Sequence, residues 1–206
     1  MSNQNTIAQE DVLTYTLGEK LYLNITNKCS NRCEFCVRET ASGVKEGSLW
    51  LNEEPTAQQV LEDIENPQQY EEIVFCGFGE PLSRVDAVVE LATALRKYGV
   101  PLRINTNGQA NLIHGYNVVP RLGGLIDCIS ISLNAENPEK YQKICNSKFG
   151  LSAYQAVLDF TALCIGVIPR VVLTVVERDD ISIEACRKLA LELGAEFRVR
   201  TWNPVL

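Results

Sequence analysis

The chain has 206 residues, of which 46% are hydrophobic and 22% charged. A chain of this length normally buries roughly 70% of the surface that its unfolded form exposes, which is enough for one sizeable core. The composition therefore excludes a mainly disordered protein. The 19 basic and 26 acidic residues give a net charge of −7, which disfavours a general nucleic-acid binder because phosphate backbones attract basic surfaces.

The N-terminal segment and the cysteine content bear on location. Residues 1–11 are polar and match neither a signal peptide nor a transit peptide. No run of about 18 apolar residues predicts a membrane span. Eight cysteines without an export signal favour a reducing compartment, in which grouped thiols bind metals more often than they form disulfides. We expect a cytoplasmic protein without a membrane partner.

Short apolar runs alternate with amphipathic stretches, which predicts repeated strand–helix units and a parallel sheet. In chain order, the predicted strands are 21–26, 73–76, 102–105, 128–133, 171–176 and 196–200. Capping residues and glycines delimit the predicted helices between them, which are 56–64, 85–98, 137–145, 152–165 and 183–193.

These units predict an α/β fold. A strand, a helix and their connections take about 30 residues, so six units fit in the chain. A closed eight-unit barrel needs about 250 residues. We therefore expect a six-strand parallel partial (β/α)6 barrel, open on one side, with a flexible tail at 1–14 and a single domain at 15–206. The chemistry of such folds lies at the carboxyl ends of the strands.

Three cysteines, Cys29, Cys33 and Cys36, follow the first predicted strand in a CxxxCxxC pattern. A structural zinc site needs four protein ligands, and no further cysteine pair or histidine partner follows at zinc-finger spacing. Three thiolates on a four-iron cluster leave one iron open, which is a catalytic arrangement. A degenerate zinc site or a redox dithiol is the alternative interpretation.

Glycines and polar residues follow the next strands. Glycines allow close approach of the backbone to a ligand, and a glutamate can accept from an ammonium group. The alternative is ordinary turn chemistry. The candidate residues are Gly77, Gly79, Glu80, Asn105, Ser132 and Asn134.

Together these features resemble the radical SAM superfamily, and Phe35 before the third cysteine also matches its pattern. The resemblance implies that Cys29, Cys33 and Cys36 bind a [4Fe-4S] cluster and that the unligated iron chelates S-adenosylmethionine (SAM). It further implies that the reduced cluster cleaves SAM to a 5′-deoxyadenosyl radical, which takes a hydrogen atom from a substrate.

The resemblance also implies the residues that contact SAM. The segment 77–80 is similar to a variant of the glycine-glycine-glutamate motif that receives the methionine amino group. Asn105, Ser132 and Asn134 are the expected contacts for the ribose and carboxylate, and Thr174 is a weaker candidate for the adenine pocket. The implied cofactor-binding set is Phe35, Gly77, Gly79, Glu80, Asn105, Ser132 and Asn134.

Within the superfamily, the chain resembles the radical SAM proteins associated with TatD-type nucleases, through residues 21–27, 103–112 and 197–200. This implies a functional link to such a nuclease and leaves the substrate open. The radical SAM resemblance itself implies flavodoxin or ferredoxin as electron donor. An activating enzyme of a glycyl radical protein is one alternative. A non-catalytic zinc or redox module is an alternative from a different class.

Other residues with possible chemistry have ordinary explanations. We expect the five cysteines outside the triplet, including Cys76, to be core residues and His114 to lie in a surface loop. Arg198 and Arg200 alternate with apolar residues on the last strand, so they either point into the barrel or lie on a solvated face.

Overall fold

The computed structural model describes residues 11–39 and 48–201. These residues form seven strands and six α-helices. The strands are β1 Thr14–Leu17, β2 Lys20–Leu23, β3 Glu72–Phe75, β4 Leu102–Thr106, β5 Cys128–Ser132, β6 Arg170–Val176 and β7 Glu196–Arg200. The helices are α1 Ala57–Glu62, α2 Val85–Leu95, α3 Ala110–His114, α4 Pro138–Cys145, α5 Ser152–Cys164 and α6 Ile183–Glu192.

All seven strands form one sheet in the order of the sequence. The six strands from β2 to β7 pair in parallel, which confirms the α/β fold and the parallel arrangement. The strands at the two edges, β1 and β7, do not pair with each other, so the described sheet is open.

The predicted count of six strands was wrong, because β1 adds a seventh, antiparallel to β2. Gly18 makes the tight turn between them with a φ of +62°, a conformation that glycine adopts without strain. Tyr15 of β1 is buried and stacks on Tyr22 of β2, with 5.1 Å between the ring centroids. A four-residue strand gives too short an alternation to stand out in the sequence.

The predicted tail at 1–14 lies partly outside the described residues, as do 202–206 of the predicted domain. Within the described part, Thr14 begins β1. The Asp11 carboxylate accepts hydrogen bonds from the main-chain and side-chain N–H groups of Asn52, at 2.8 and 2.7 Å. The boundary between tail and domain stays a prediction.

Several predicted helix starts are confirmed by their caps. Thr56 and Gln59 form both hydrogen bonds of a capping box before α1. The Asn137 side chain accepts from the N–H of Lys140 at 2.9 Å, and Pro138 occupies the first position of α4. The short helix α3 was not predicted. It contains His114, which the sequence analysis had placed in a loop and whose Nε2 contacts the Leu82 carbonyl oxygen at 2.8 Å.

The two faces of the sheet differ in character. Alternate strand residues such as Phe75, Ile104 and Leu173 are fully buried in one hydrophobic core with the helices. The opposite, concave face carries polar residues. Among them are Asn105 and Ser130, which are paired on neighbouring parallel strands. The carboxyl ends of the parallel strands meet at one edge of this face. No helix within residues 11–39 and 48–201 is long and apolar enough to span a membrane.

Candidate active site

The cysteine loop, residues 24–36, follows β2 and is anchored by its backbone. The N–H groups of Arg32 and Glu34 donate to the carbonyl oxygens of Cys145 and Ile144, each at 3.0 Å. These carbonyls lie in the last turn of α4, where carbonyls have no partner within the helix. The N–H of Lys148 donates to the Ser30 carbonyl at 2.9 Å. The end of α4 therefore positions the loop over the carboxyl edge of the sheet.

The three cysteines of the triplet are partly buried free thiols. The Cys29 sulfur accepts from the N–H of Asn31 at 3.4 Å and from Asn107 Nδ2 at 3.8 Å. Burial, with the nearby Glu80 carboxylate, raises the pKa of Cys29 to about 11. A hydrogen bond with the Cys145 thiol, followed by burial, raises the pKa of Cys33 well above its usual range. A cation must therefore displace a proton to bind these sulfurs as thiolates.

The donor set of the cysteine loop fits an iron–sulfur cluster, because it offers three thiols and the thiolates of such a cluster bind different irons. Within residues 11–39 and 48–201, no three Cys, His, Asp or Glu side chains are grouped to hold one ion. The side chains of Cys29, Cys33 and Cys36 would hold the cluster, with three thiols on one anchored loop.

The glycines of the segment after β3 are required by protein contacts. A Cβ on Gly77 would lie 2.0 Å from Asn24 Oδ1, and a Cβ on Gly79 would lie 2.3 Å from the Thr26 carbonyl oxygen. Both positions therefore let this segment pack directly against the loop that follows β2. A contact of either glycine with SAM stays a prediction.

Glu80 is buried and fully engaged inside the protein, with 3% of its surface exposed. Its Oε1 accepts from the Thr106 hydroxyl at 2.7 Å and from the N–H of Leu82 at 3.0 Å. Its Oε2 accepts from the N–H of Asn107 at 2.6 Å. Burial raises its pKa to about 7, and these three hydrogen bonds oppose the shift. Glu80 joins the end of β3 to the end of β4, and its expected role with an ammonium group stays a prediction.

Asn105 and Ser132 lie on the concave face, at the carboxyl ends of β4 and β5. Asn105 Oδ1 accepts from Arg103 Nη1 at 2.6 Å. Arg103 in turn pairs with Glu72 at 3.0 Å. The Asn105 side chain is partly buried, and it is held along the strand by this contact.

Asn134 and Thr174 are both buried. Asn134 lies near the cysteine loop, and Thr174 lies within the strand ladder. Asn134 has a φ of +58°, its Nδ2 contacts the Cys145 sulfur at 3.4 Å, and its buried Oδ1 has no partner. The Thr174 hydroxyl donates to the Ile131 carbonyl at 3.4 Å. Asn134 therefore presents an unsatisfied acceptor next to the loop, whereas Thr174 is satisfied within the sheet.

Phe35 lines a cavity at the end of β6. The cavity has a volume of about 320 Å³ and is also lined by Glu34, Val176, Glu177 and Arg178. A cavity of this size fits the small end of the range for ligand sites, about 300–1,000 Å³. Arg178 donates to the Glu34 carboxylate at 2.9 Å, which ties the cysteine loop to the segment after β6.

The remaining predictions have clear outcomes in the structure. Cys128, Cys145, Cys164 and Cys186 are buried, which confirms their expected place in the core. Cys76 is partly buried at the end of β3. Asn107 was missed as a site residue, although it stands in the same polar cluster as Asn105, because the sequence alone does not say which of the two reaches the cysteine loop.

Comparison with known proteins agrees with this geometry. The family model described as "Radical SAM superfamily" matches residues 23–189. The chain belongs to the radical SAM superfamily. The match spans most of the chain. It includes the cysteine loop and the carboxyl ends of five of the six parallel strands.

Two curated relatives match parts of this radical SAM chain. A tungsten-containing aldehyde ferredoxin oxidoreductase cofactor-modifying protein from Pyrococcus furiosus is 33% identical over 91 residues, which cover 43% of this chain and 23% of that protein. A probable GTP 3′,8-cyclase from Thermococcus kodakarensis is 27% identical over 139 residues, or 68% of this chain and 41% of that protein. The chain thus spans less than half the length of these relatives.

The fold is also similar to that of a solved structure. SuiB from Streptococcus suis, bound to S-adenosylmethionine, superposes with a TM-score of 0.62 at 15% identity. The superposition covers 91% of this chain and 41% of SuiB. The likeness establishes the fold of the chain.

Proposed function

We propose that the chain is a radical SAM enzyme in which Cys29, Cys33 and Cys36 hold a [4Fe-4S] cluster at the carboxyl edge of the sheet. The observation that carries the proposal is the cysteine loop itself, anchored on the last turn of α4 above a polar concave face. When bound, the cluster supplies an electron that cleaves SAM to a 5′-deoxyadenosyl radical for hydrogen abstraction from a substrate.

The protein residues would bind and orient the cofactor around this loop. We assign the methionine end of SAM to the segment with Gly77, Gly79 and Glu80. The orphaned Oδ1 of Asn134 supports a polar contact beside it. We further assign Asn105 and Ser132 to the ribose or carboxylate, because both lie at strand ends on the concave face.

The adenine is assigned to the cavity beside Phe35. The ring of Phe35 and the side chain of Val176 offer apolar surface for the base. This placement puts the base next to the third cysteine and leaves the concave face free for a substrate.

An acidic one-electron donor, flavodoxin or ferredoxin, completes the proposal. A second cavity of about 450 Å³ lies at the cysteine loop and is lined by Cys29 and by the cationic residues Lys28, Arg38 and Lys148. Positive charge around a concave surface attracts an acidic partner and speeds its association. A functional link to a TatD-type nuclease and an oxidoreductase reaction are finer proposals that rest on the sequence resemblance. A cytoplasmic location is a proposal that rests on the polar N-terminal segment and the cysteine content.

An anaerobic reconstitution tests the proposal. Iron and sulfide content, absorption and electron paramagnetic resonance (EPR) spectra are measured with and without SAM, and 5′-deoxyadenosine is measured after addition of dithionite. We expect about four irons per chain, a spectrum perturbed by SAM, and loss of both in Cys29→Ala. Cys164→Ala, a buried cysteine remote from the loop, is the matched control. Zinc or no metal, with no 5′-deoxyadenosine, would overturn the proposal.

A non-catalytic redox module is the second candidate, favoured by the nearness of the Cys33 and Cys145 thiols. It predicts a colourless protein in which these two thiols are lost together on mild oxidation and return with a reductant. Thiol counting on Cys145→Ala, with and without iron, distinguishes the two functions.

A further inference from the structure

The last strand carries two arginines on the concave face of the sheet. The register of β6 and β7 sets Thr174 beside Arg198, and partners in a parallel ladder point to the same side. Arg200 lies two residues further along and shares that side. The alternate residues Phe197 and Val199 pack against the hydrophobic core instead. Both guanidinium groups therefore belong to the polar face.

Arg198 reaches inward across the sheet. Its Nη2 donates to the Ser130 hydroxyl at 3.3 Å, although Ser130 lies on β5, two strands away. The hydroxyl uses one of the five N–H donors of the guanidinium. The group is thus oriented over the concave face with most of its donors open.

Arg200 is the more buried of the two and lacks an acceptor. Its Nε is buried and has no hydrogen-bond partner. Burial lowers the pKa of Arg200, and the adjacent Arg198 adds to the effect. A buried guanidinium remains charged, so leaving it unpaired is costly.

Other arginines of the sheet are paired with carboxylates. Arg103 pairs with Glu72 at 3.0 Å, and Arg170 pairs with Glu196 at 2.7 Å. Within residues 11–39 and 48–201, no carboxylate lies at ion-pair distance from Arg198 or Arg200, although Glu196 lies within electrostatic range of Arg198. The two arginines on the concave face therefore form a positively charged site whose guanidinium groups have no direct carboxylate partner.

This site faces the cysteine loop. The guanidinium of Arg200 lies within electrostatic range of the thiols of Cys76 and Cys33. A ligand held by Arg200 would therefore lie beside the proposed cluster, at the carboxyl edge where this fold carries its chemistry.

We propose that Arg198 and Arg200 form a binding site for a carboxylate or phosphate group on the concave face. Guanidinium groups match the planar, bidentate geometry of these anions. The anion is carried either by the substrate or by the methionine end of SAM. This choice of carriers rests on the proposed function, whereas the anion site itself rests on the two side chains.

Isothermal titration calorimetry tests the site with inorganic phosphate and malonate as probes. The full chain is compared with Arg198→Met, Arg200→Met and Arg200→Lys, after anaerobic reconstitution and also without iron. Arg121→Met, which removes an arginine paired with Asp86 near α2, is the matched control. Circular dichroism checks folding, and the exposed position of Arg198 makes its variant the safer of the two.

We expect each methionine variant to weaken binding of both probes at least about tenfold, because a charged partner is lost from a partly desolvated site. The affinity of Arg200→Lys for the probes should lie between those of the wild type and Arg200→Met, since lysine keeps the charge without the bidentate fork. Arg121→Met should bind like the wild type. Equal binding by the wild type and both methionine variants, or no binding by the wild type, would overturn the proposal.

Two further titrations identify the carrier of the anion. If Arg200→Met weakens SAM but not decarboxylated SAM, the carboxylate of SAM occupies the site. If SAM binding is unchanged while phosphate binding is lost, the site serves the substrate. Iron content and EPR on the same samples test the proposed function separately. The two tests are independent because anion binding by the arginine pair can be measured on the iron-free chain.

Discussion

Asn107 Nδ2 donates a hydrogen bond to the sulfur of Cys29 at 3.8 Å, across 78 residues of sequence. The same amide group donates to the Ser30 hydroxyl at 2.9 Å. Its Oδ1 accepts from the N–H of Gln109 at 3.0 Å. The Asn107 side chain is therefore held on both sides and aimed at a proposed cluster ligand.

The first prediction concerns the reduction potential of the cluster. Reduction adds one electron and breaks no bond, and a donor on the ligand sulfur stabilises the added negative charge. Asn107→Leu should therefore lower the midpoint potential while iron content is kept. An EPR-monitored redox titration measures the shift.

Ser147→Ala is the control for Asn107→Leu, because it removes a hydrogen bond to Gln109 in the same buried region without touching Cys29 or Asn107. Its potential should stay close to that of the wild type. The same shift in both variants, or none in Asn107→Leu, would show that the amide does not tune the cluster.

The second prediction concerns a buried polar network centred on Gln109, which is fully buried. Its Oε1 accepts from the hydroxyls of Ser30 and Ser147, each at 2.9 Å. Its Nε2 donates to Asn31 Oδ1 and to the Tyr141 hydroxyl, each at 2.8 Å. The network joins the cysteine loop to the helix α4 and the segment that follows it.

Gln109→Leu should lower the free energy of unfolding by at least about 2 kcal/mol, because each buried polar group left without a partner costs about 1–3 kcal/mol. Urea denaturation measures the loss. Gln58→Leu, on the exposed side of α1, should stay within about 0.5 kcal/mol of the wild type. Similar losses in the two variants would contradict a special role for the network.

Much of the fold could be predicted because its signals are local. The continuous apolar run of β6 is buried at six of its seven residues, as expected for a strand covered on both faces. The capping residues Thr56 and Asn137 mark helix starts through hydrogen bonds within four residues. The position of the cysteine loop followed from the strand before it.

The contacts within the site could not be predicted, because they join distant segments. Glu80 is buried among partners from a distant segment. These partners, the Thr106 hydroxyl and the N–H of Asn107, lie at the end of another strand. Asn105 and Asn107 look alike in sequence. Alternation along β4 places Asn105 on the same face as Arg103, to which it is hydrogen-bonded, while Asn107 lies beyond the strand end and reaches Cys29.

The third prediction uses the close packing of Gly79. An added Cβ would lie 2.3 Å from the Thr26 carbonyl oxygen and 2.8 Å from that of Lys28, so the backbone before Cys29 must move. Gly79→Ala should lose iron on reconstitution and should cost about 1–3 kcal/mol of stability, the usual range for overpacking. Iron analysis and urea denaturation measure the two effects.

Gly123→Ala is the matched control for Gly79→Ala. Its added Cβ would meet a Val167 side-chain methyl at 3.2 Å, which can shift, rather than the backbone of the cysteine loop. It should bind iron like the wild type. Full iron loading of Gly79→Ala would show that the loop tolerates the displacement.

The fourth prediction concerns the cavity beside Phe35, the proposed adenine site. Glu177 lines this cavity from an exposed position, so Glu177→Trp should fill part of it without disturbing the core. We expect SAM affinity to fall at least about tenfold, since a filled pocket removes the apolar contacts of the base. Iron content should be unchanged, because the cysteine loop keeps its backbone anchors on α4.

Asp179→Trp places the same bulk two residues further along the chain, at an exposed position outside the cavity lining. Equilibrium dialysis with SAM compares both variants with the wild type. Weaker binding in Glu177→Trp alone supports the assignment of the base to this cavity. Equal SAM affinity in all three proteins would contradict the assignment of the base to this cavity. Equal losses in both variants would point to the mobility of the segment after β6 rather than to the cavity.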